Sequence, residues 1–259
     1  MSLIAVASAK FSPGASTLAE LLVLRRPGEQ RCLLVDCDPS GSEWRMRGAA
    51  AEPGLVTLAV AGRRELAPAA ALGHLQSVGE GMEVLVAPAA ARQVTGALEV
   101  LGDRLGPHLA SLGAVDVVAD CGRLAPGSPA LGVVAAADLV VLVSRAAATD
   151  VIHVAPWVDE LSGGPPVSVV LVGGRRRGRQ LAYGPAEVAE GVGAPVLGVV
   201  AEDPAAAARL FTQPGSLAGL SRSQLVRSAS SVASAVFAAA VAEQRQDRGR
   251  VDPQEALSR

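Results

Sequence analysis

Residues 3–24 read LIAVASAKFSPGASTLAELLVL, and the fold turns on how this stretch divides. Residues 3–8 form an apolar run of the kind buried on both faces of a parallel sheet. Residues 16–26 carry a helical pattern. Between them Lys10-Phe11-Ser12-Pro13-Gly14-Ala15-Ser16-Thr17 turns a strand into a helix, and a helix N-terminus presents unpaired backbone N–H groups to an anion. Lys10 is the only lysine among 23 basic residues. A compact, strongly hydrated ammonium at such a turn suits phosphate, and arginine is not its equivalent. The competing reading is a lysine kept by chance in a surface loop, and the rest of the chain decides between them.

The same alternation runs outward from this unit. Strands are predicted over 3–8, 31–36, 82–87, 115–120, 138–144, 167–172 and 196–200, as short Val- and Leu-rich runs closed by Gly, Pro, Asp or Ser. Helices are predicted over 16–26, 55–64, 91–112, 128–136, 150–161 and 183–191, with a last one over 221–244. No composition break divides the chain, so the pattern predicts one α/β domain over 1–244, a doubly wound, mostly parallel sheet with helices on both faces. A polar, mobile tail is expected over 245–259. Half of the 259 residues are hydrophobic but only 2% are aromatic, so Ala, Val and Leu must fill the core.

Right-handed crossovers bring the loops after the strands to one sheet edge, where open α/β folds bind ligands. The loops at 9–16, 37–41, 87–90, 121–127, 145–149, 173–179 and 201–204 meet there, and Asp36, Asp38 and Asp120 converge near the first. Cys37 and Cys121 each adjoin one of these aspartates, so they either face the same cleft or serve as small buried thiols. With Cys32 they make an odd number without metal-ligand spacing, which fits a reducing compartment. A net charge of −2 argues against a globally basic nucleic-acid binder. No uninterrupted apolar run approaches the roughly 20 residues that span a bilayer, and the N-terminus lacks a signal-peptide layout. The expectation is a cytoplasmic protein without a transmembrane segment.

The motifs carry a resemblance. Residues 10–17 are similar to the deviant Walker A loop of ParA/MinD-type ATPases, Lys-Gly-Gly-x-Gly-Lys-Thr-Thr/Ser. Residues 32–41, CLLVDCDPSG, resemble that family's strand ending Asp-x-Asp-Pro-Gln-Gly, and residues 115–122, VDVVADCG, resemble its Walker B strand. Residues 137–143, ADLVVLV, and 194–204, APVLGVVAEDP, resemble two later segments, so the likeness spans residues 1 to about 211. It implies a P-loop fold, ATP or ADP with Mg²⁺, and a homodimer. In that frame Lys10 matches the signature lysine that reaches a partner's phosphates in trans. Gly14, Ala15, Ser16 and Thr17 stand at the phosphates, and Asp203 and Pro204 belong to the loop that holds the base. Ser16, Asp36 and Asp120 match the Mg²⁺ site, partly through water, and Asp38 matches the residue that activates the attacking water.

Each role has a plainer counterpart: Ser16 as a helix cap, Asp38 as a turn former before Pro39, Asp36 and Asp120 as strand-end turns. The departures matter more. Ala15 replaces the phosphate-cradling lysine, which removes a charge-assisted contact worth about 1.5–3 kcal/mol. Phe11 replaces a glycine, so a positive φ there is strained. The resemblance therefore implies a dimeric positioning or scaffolding factor with weakened nucleotide binding and slow or absent hydrolysis. Relatives with atypical loops include the TadZ/CpaE proteins of pilus assembly, so a partner from a positioning or secretion system, and recruitment by it to a pole or membrane-associated complex, stay open. One alternative is an active ATPase for DNA or cargo partitioning in which Arg123 or Arg175 replaces the lost lysine. Another is a nucleotide-free interaction module. Arg175, Arg176, Arg177 and Arg179 are the dense basic cluster; nonspecific DNA attachment through them is weighed below a solvated loop.

Overall fold

The computed structural model describes residues 1–173 and 182–250, side chains of 246–250 excepted. The cluster Arg175–Arg179 and residues 251–259 lie outside the described residues.

Among those residues the strands are β1 (Leu3–Ser8), β2 (Cys32–Asp36), β3 (Gln76–Val78), β4 (Met82–Leu85), β5 (Asp116–Arg123), β6 (Leu139–Arg145), β7 (Val167–Val172) and β8 (Val196–Val200). They form one sheet in the order β3-β4-β2-β5-β1-β6-β7-β8, with β3 antiparallel to β4 and every other pair parallel. The helices are α1 (Ala15–Leu24), α2 (Leu55–Ala61), α3 (Ala91–Leu101), α4 (Leu105–Ala110), α5 (Leu131–Ala135), α6 (Ala148–Val151), α7 (Val154–Glu160), α8 (Pro185–Val192), α9 (Pro204–Thr212) and α10 (Gln224–Arg250). The doubly wound α/β domain is as expected.

Strand alternation divides the core in two. Leu3, Ala5 and Ala7 of β1 point to a layer built with Leu58, Leu98, Leu105 and Val188. Ile4 and Val6 point to the opposite layer, where Leu18, Leu21 and Leu22 of α1 meet Leu210 of α9 and Val232 and Val236 of α10. Each such aliphatic side chain contributes about 1.5–3 kcal/mol by leaving water. Small aliphatics throughout keep both helix layers close to the sheet.

The structure differs from the sequence expectation where local chemistry is ambiguous. The predicted helix over 91–112 is interrupted by a 3₁₀ turn at Gly102–Arg104 and resumes as α4, because Gly102 takes φ 52. The one over 150–161 becomes α6 and α7. Neither β3 nor α9 was expected. The last helix begins at Gln224 and continues to Arg250, six residues into the stretch expected as tail. Over Gln224–Arg245 it is long and apolar enough to cross a membrane by length and composition alone, which a count of uninterrupted apolar residues overlooks. In this fold Leu225, Val226, Ala229, Val232, Ala233, Val236, Phe237 and Ala240 form one stripe that is packed on the sheet.

Candidate nucleotide cleft

Where β1, β2 and β5 end, the loops enclose three adjoining cavities. The first, about 220 Å³, is lined by Ser16, Asp36, Asp38, Glu43, Trp44, Arg47 and Asp120 among others. The second, about 480 Å³, runs along Phe11, Ser12, Gly14, Ala15, Ser16 and Thr17 to Gly122 and Arg123. The third, about 140 Å³, lies between the same loop, Arg145 of β6 and residues 200–204. Ser16 and Asp38 both belong to the first two, and Gly14 and Thr17 link the second to the third.

The floor of the second cavity is the start of α1. Gly14 is its N-cap at φ 104, with no side chain to satisfy the first N–H groups. Gly14, Ala15, Ser16 and Thr17 all line the cavity, so the first turn of α1 with its uncapped N–H groups borders the space an anion would occupy. Ala15 opens the helix as a buried residue, so no cation enters from that position. Phe11 stands at φ 55, the left-handed conformation anticipated for a glycine there, and the residue is 49% exposed. A non-glycine residue held so costs on the order of 1–3 kcal/mol. Lys10 lies with its ammonium 5.5 Å from the Phe11 ring centre and is not among the residues that line the cavities.

The acids sit where adjacent strands end. Asp36 and Asp120 are register partners across β2 and β5, and both are buried. Asp36 accepts a hydrogen bond from the Asp38 N–H at 3.2 Å, Asp38 from the Ser40 N–H at 2.8 Å, and Asp120 from the Gly122 N–H at 3.0 Å. Asp38 fits only because residue 122 is glycine: a Cβ on Gly122 would lie 2.2 Å from an Asp38 carboxylate oxygen. Burial, then the Asp120 charge, pushes Asp36 up to about 7. Burial pushes Asp120 up to about 6, against the Ser16 hydroxyl and the Gly122 N–H, which favour its charged form.

No three His, Cys, Asp or Glu side chains among the described residues form a metal site by themselves. Mg²⁺ is commonly held by one or two carboxylates and substrate phosphates rather than by an all-protein cage. The buried pair Asp36 and Asp120, with Ser16 beside them, fits such an ion as a donor set. Cys37 and Cys121 do not face the cleft; both are fully buried in the core layer on the α2 to α5 side, and burial pushes both thiols up. They are structural apolar residues.

Asp203 is the N-cap of α9, accepting from the Ala206 N–H at 3.1 Å, and Pro204 is its first residue. Both line the third cavity with Ala201 and Glu202. Sequence reasoning missed Glu43, Trp44 and Arg47; it placed Arg145 on the ligand-binding edge, as found, without giving it a role. The signal for the first three was the run SEWRMR at 42–47, aromatic and charged, directly after a strand-end loop. Arg47 is held between α1 and α9: it pairs with Glu20 at 2.6 Å and donates to the Leu210 carbonyl at 3.0 Å, with Trp44 stacked 4.1 Å away.

This backbone has known counterparts. A ParA family ATPase from Chlorobium tepidum superposes with a TM-score of 0.72 at 17% identity, over 90% of this chain and 97% of that one. The fold is that of the ParA and MinD ATPases. The septum site-determining protein MinD from Pyrococcus horikoshii, solved with Mg-ADP, gives 0.70 at 18% identity over 93% and 98%. An McdA–ATP complex from Cyanothece gives 0.65 at 17% over 92% and 96%. No protein-family model matches the sequence, and no curated protein matches it. The likeness to ParA and MinD lies in the backbone and in short motifs at strand ends.

Proposed function

We propose that this chain is a ParA/MinD-like positioning or scaffolding factor that acts as a homodimer, binds nucleotide weakly and hydrolyses it slowly or not at all. The observation that carries the reading is Ala15, buried at the start of α1 where the cleft would need its ammonium. The retained cavity supports some binding: the α1 N–H groups receive phosphate oxygens, and residues 201–204 offer backbone to a base. Ser16, Asp36 and Asp120 would hold Mg²⁺, which would supply neutralisation of phosphate charge there. Asp38 stands at the junction of the first two cavities, where a carboxylate orients water. Without the loop lysine, charge developing on the phosphates meets less stabilisation, so turnover suffers more than binding. The positioning role draws support from the neighbours, which include a septum site-determining protein and a putative plasmid partition protein.

Calorimetry with Mg-ATP and Mg-ADP, phosphate release and sedimentation velocity test this together. The expected result is a Kd of roughly 0.1–1 mM, turnover near background and a dimer. Tight binding with steady turnover would instead favour the active ATPase, for which Arg123 on the wall of the second cavity is the supporting observation. No binding at millimolar nucleotide would leave the interaction module.

A further inference from the structure

The loop between β2 and α2 has two working sides. Its Trp44 and Arg47 line the first cavity of the nucleotide cleft, whereas its Arg45 and Glu52 line a separate groove of about 580 Å³ on the outside of α2 and α3. Helix α2 spends Leu55, Leu58 and Ala59 on the core, yet Val56 and Val60 point away from it, Val60 at 71% exposure. Helix α3 repeats the arrangement, with Val94, Leu98 and Leu101 inward and Val100 outward at 40%. A single exposed valine is ordinary, but Val56, Val60 and Val100 line one groove together, and a contiguous apolar lining of that kind marks a contact surface.

We infer that the α2–α3 groove docks an amphipathic helix from a partner protein, with an apolar face on the valines and acidic residues on its flanks. The floor favours a helix because it is small: Ala59 and Ala97 are buried, and a Cβ added to Gly96 would meet nothing within 4 Å. A third helix can therefore approach closely and set its ridge between the two. The rim sets the charge. Arg45 and Arg63 border the groove against Glu52 alone, and the ion pairs among the described residues use neither arginine. A second copy of this chain is disfavoured, because a two-fold contact would bring together two grooves that each carry Arg45 and Arg63 against Glu52 alone, an excess of positive charge on both sides. A bilayer is disfavoured because the surface is concave.

The test uses fluorescence anisotropy on the full chain, with no nucleotide, so that it stands apart from the proposed nucleotide chemistry. The probe is a labelled designed helix of about 16 residues, with leucines at i, i+3, i+4 and i+7 spacing and glutamates on the flanks. A twin carries lysines in place of the glutamates. The acidic probe should bind with a Kd of roughly 10–100 μM and the basic twin at least about tenfold more weakly. Val60→Asp, at an exposed position that leaves the melting temperature unchanged, should weaken the acidic probe about tenfold or more. The double variant Arg45→Glu, Arg63→Glu should reverse the preference between the twins. Equal binding of the twins, no binding of the acidic probe at 1 mM, or an unchanged Kd in Val60→Asp each overturn the inference. So does a Val60→Asp chain that changes from dimer to monomer in sedimentation, or that alone loses attachment to phosphatidylglycerol vesicles; the occupant would then be a second copy or a lipid surface.

Discussion

The loop between β1 and α1 and the acidic strand ends share one edge of the sheet, yet they match the ParA and MinD motifs to different degrees. In the loop, Ala15 stands where the resemblance calls for a lysine and Phe11 where it calls for a glycine, while the backbone reaches α1 through Gly14 at φ 104. At the strand ends Asp36, Asp38 and Asp120 all remain. The difference is explained by what else each side chain does. Each aspartate accepts a backbone N–H and so shapes the turn it stands in. A cradling lysine has no such second role; it serves the ligand alone. Alanine at position 15 therefore bears on function, whereas the presence of the three acids is accounted for by the fold.

The two regions are joined by the Glu20–Arg47 pair, which runs from α1 to the loop after Asp38 with both side chains nearly fully buried. Glu20 also accepts the Gly215 N–H. Glu20→Gln leaves the buried Arg47 charge with only the exposed Glu43 at 4.0 Å as counter-ion, so it should cost about 3 kcal/mol, a fall in Tm of roughly 6–12 °C. Replacing both partners with uncharged residues of similar volume should recover most of that loss. If thermal unfolding of Glu20→Gln matches that of the parent, the regions are not coupled through this pair.

The second effect separates fold from ligand at the acids themselves. Asp36 has its folded pKa raised to about 7 from an ordinary value near 3.8. A raised carboxylate contributes stability below its unfolded pKa, and that contribution is lost as pH rises through the folded value. Asp36→Asn keeps an oxygen for the Asp38 N–H and never ionises. It should raise stability at pH 8 by on the order of 2–4 kcal/mol and change little at pH 4, while weakening any Mg²⁺-dependent binding. Chemical denaturation at both pH values checks the sign. A variant less stable at pH 8 would mean that the carboxylate is held in its charged form by the fold.

How much of this was legible in the sequence follows the same line between backbone and side chain. Parallel strands buried on both faces announce themselves as apolar runs, so β1 and β7 begin and end where the sequence places them, and the half-buried edge strand β8, equally apolar, does too. Gln76–Val78 is an edge strand of three residues with little apolar character, and it exists because β4 lies beside it. The Ala-rich α9 has a clear Asp203-Pro204 start, yet the family resemblance directs those two residues to a base-binding loop and hides the helix behind them. Asp36, Asp38, Asp120, Gly14 and Ser16 gather as topology requires. Arg145 likewise arrives with its strand end, whereas Arg47 enters the first cavity through the path of a long loop, which a local pattern does not encode.

Restoring the lost charge is the direct test of the loop. Ala15→Lys adds an ammonium at the first residue of α1, beside the second cavity. Mg-ATP affinity should rise by roughly ten- to a hundredfold, the equivalent of about 1.5–3 kcal/mol. Calorimetry reads this directly, and an unchanged Kd would place the defect in the loop backbone rather than in the missing charge.

The smallest expected effect isolates that backbone. Phe11→Gly removes the strain of a non-glycine residue at φ 55 but returns conformational freedom to the unfolded chain, so the two contributions oppose each other. The ring is half exposed and contributes little burial, which leaves a net gain of about 1 kcal/mol at most and a rise in Tm of roughly 2–4 °C. The more telling readout is nucleotide affinity, because glycine lets the loop amides turn toward phosphate without cost and clears the ring from the mouth of the second cavity. A severalfold gain that multiplies with that of Ala15→Lys would show charge and backbone to be independent losses. A gain seen only in combination with Ala15→Lys would show that the loop shape matters solely through the cation it once positioned.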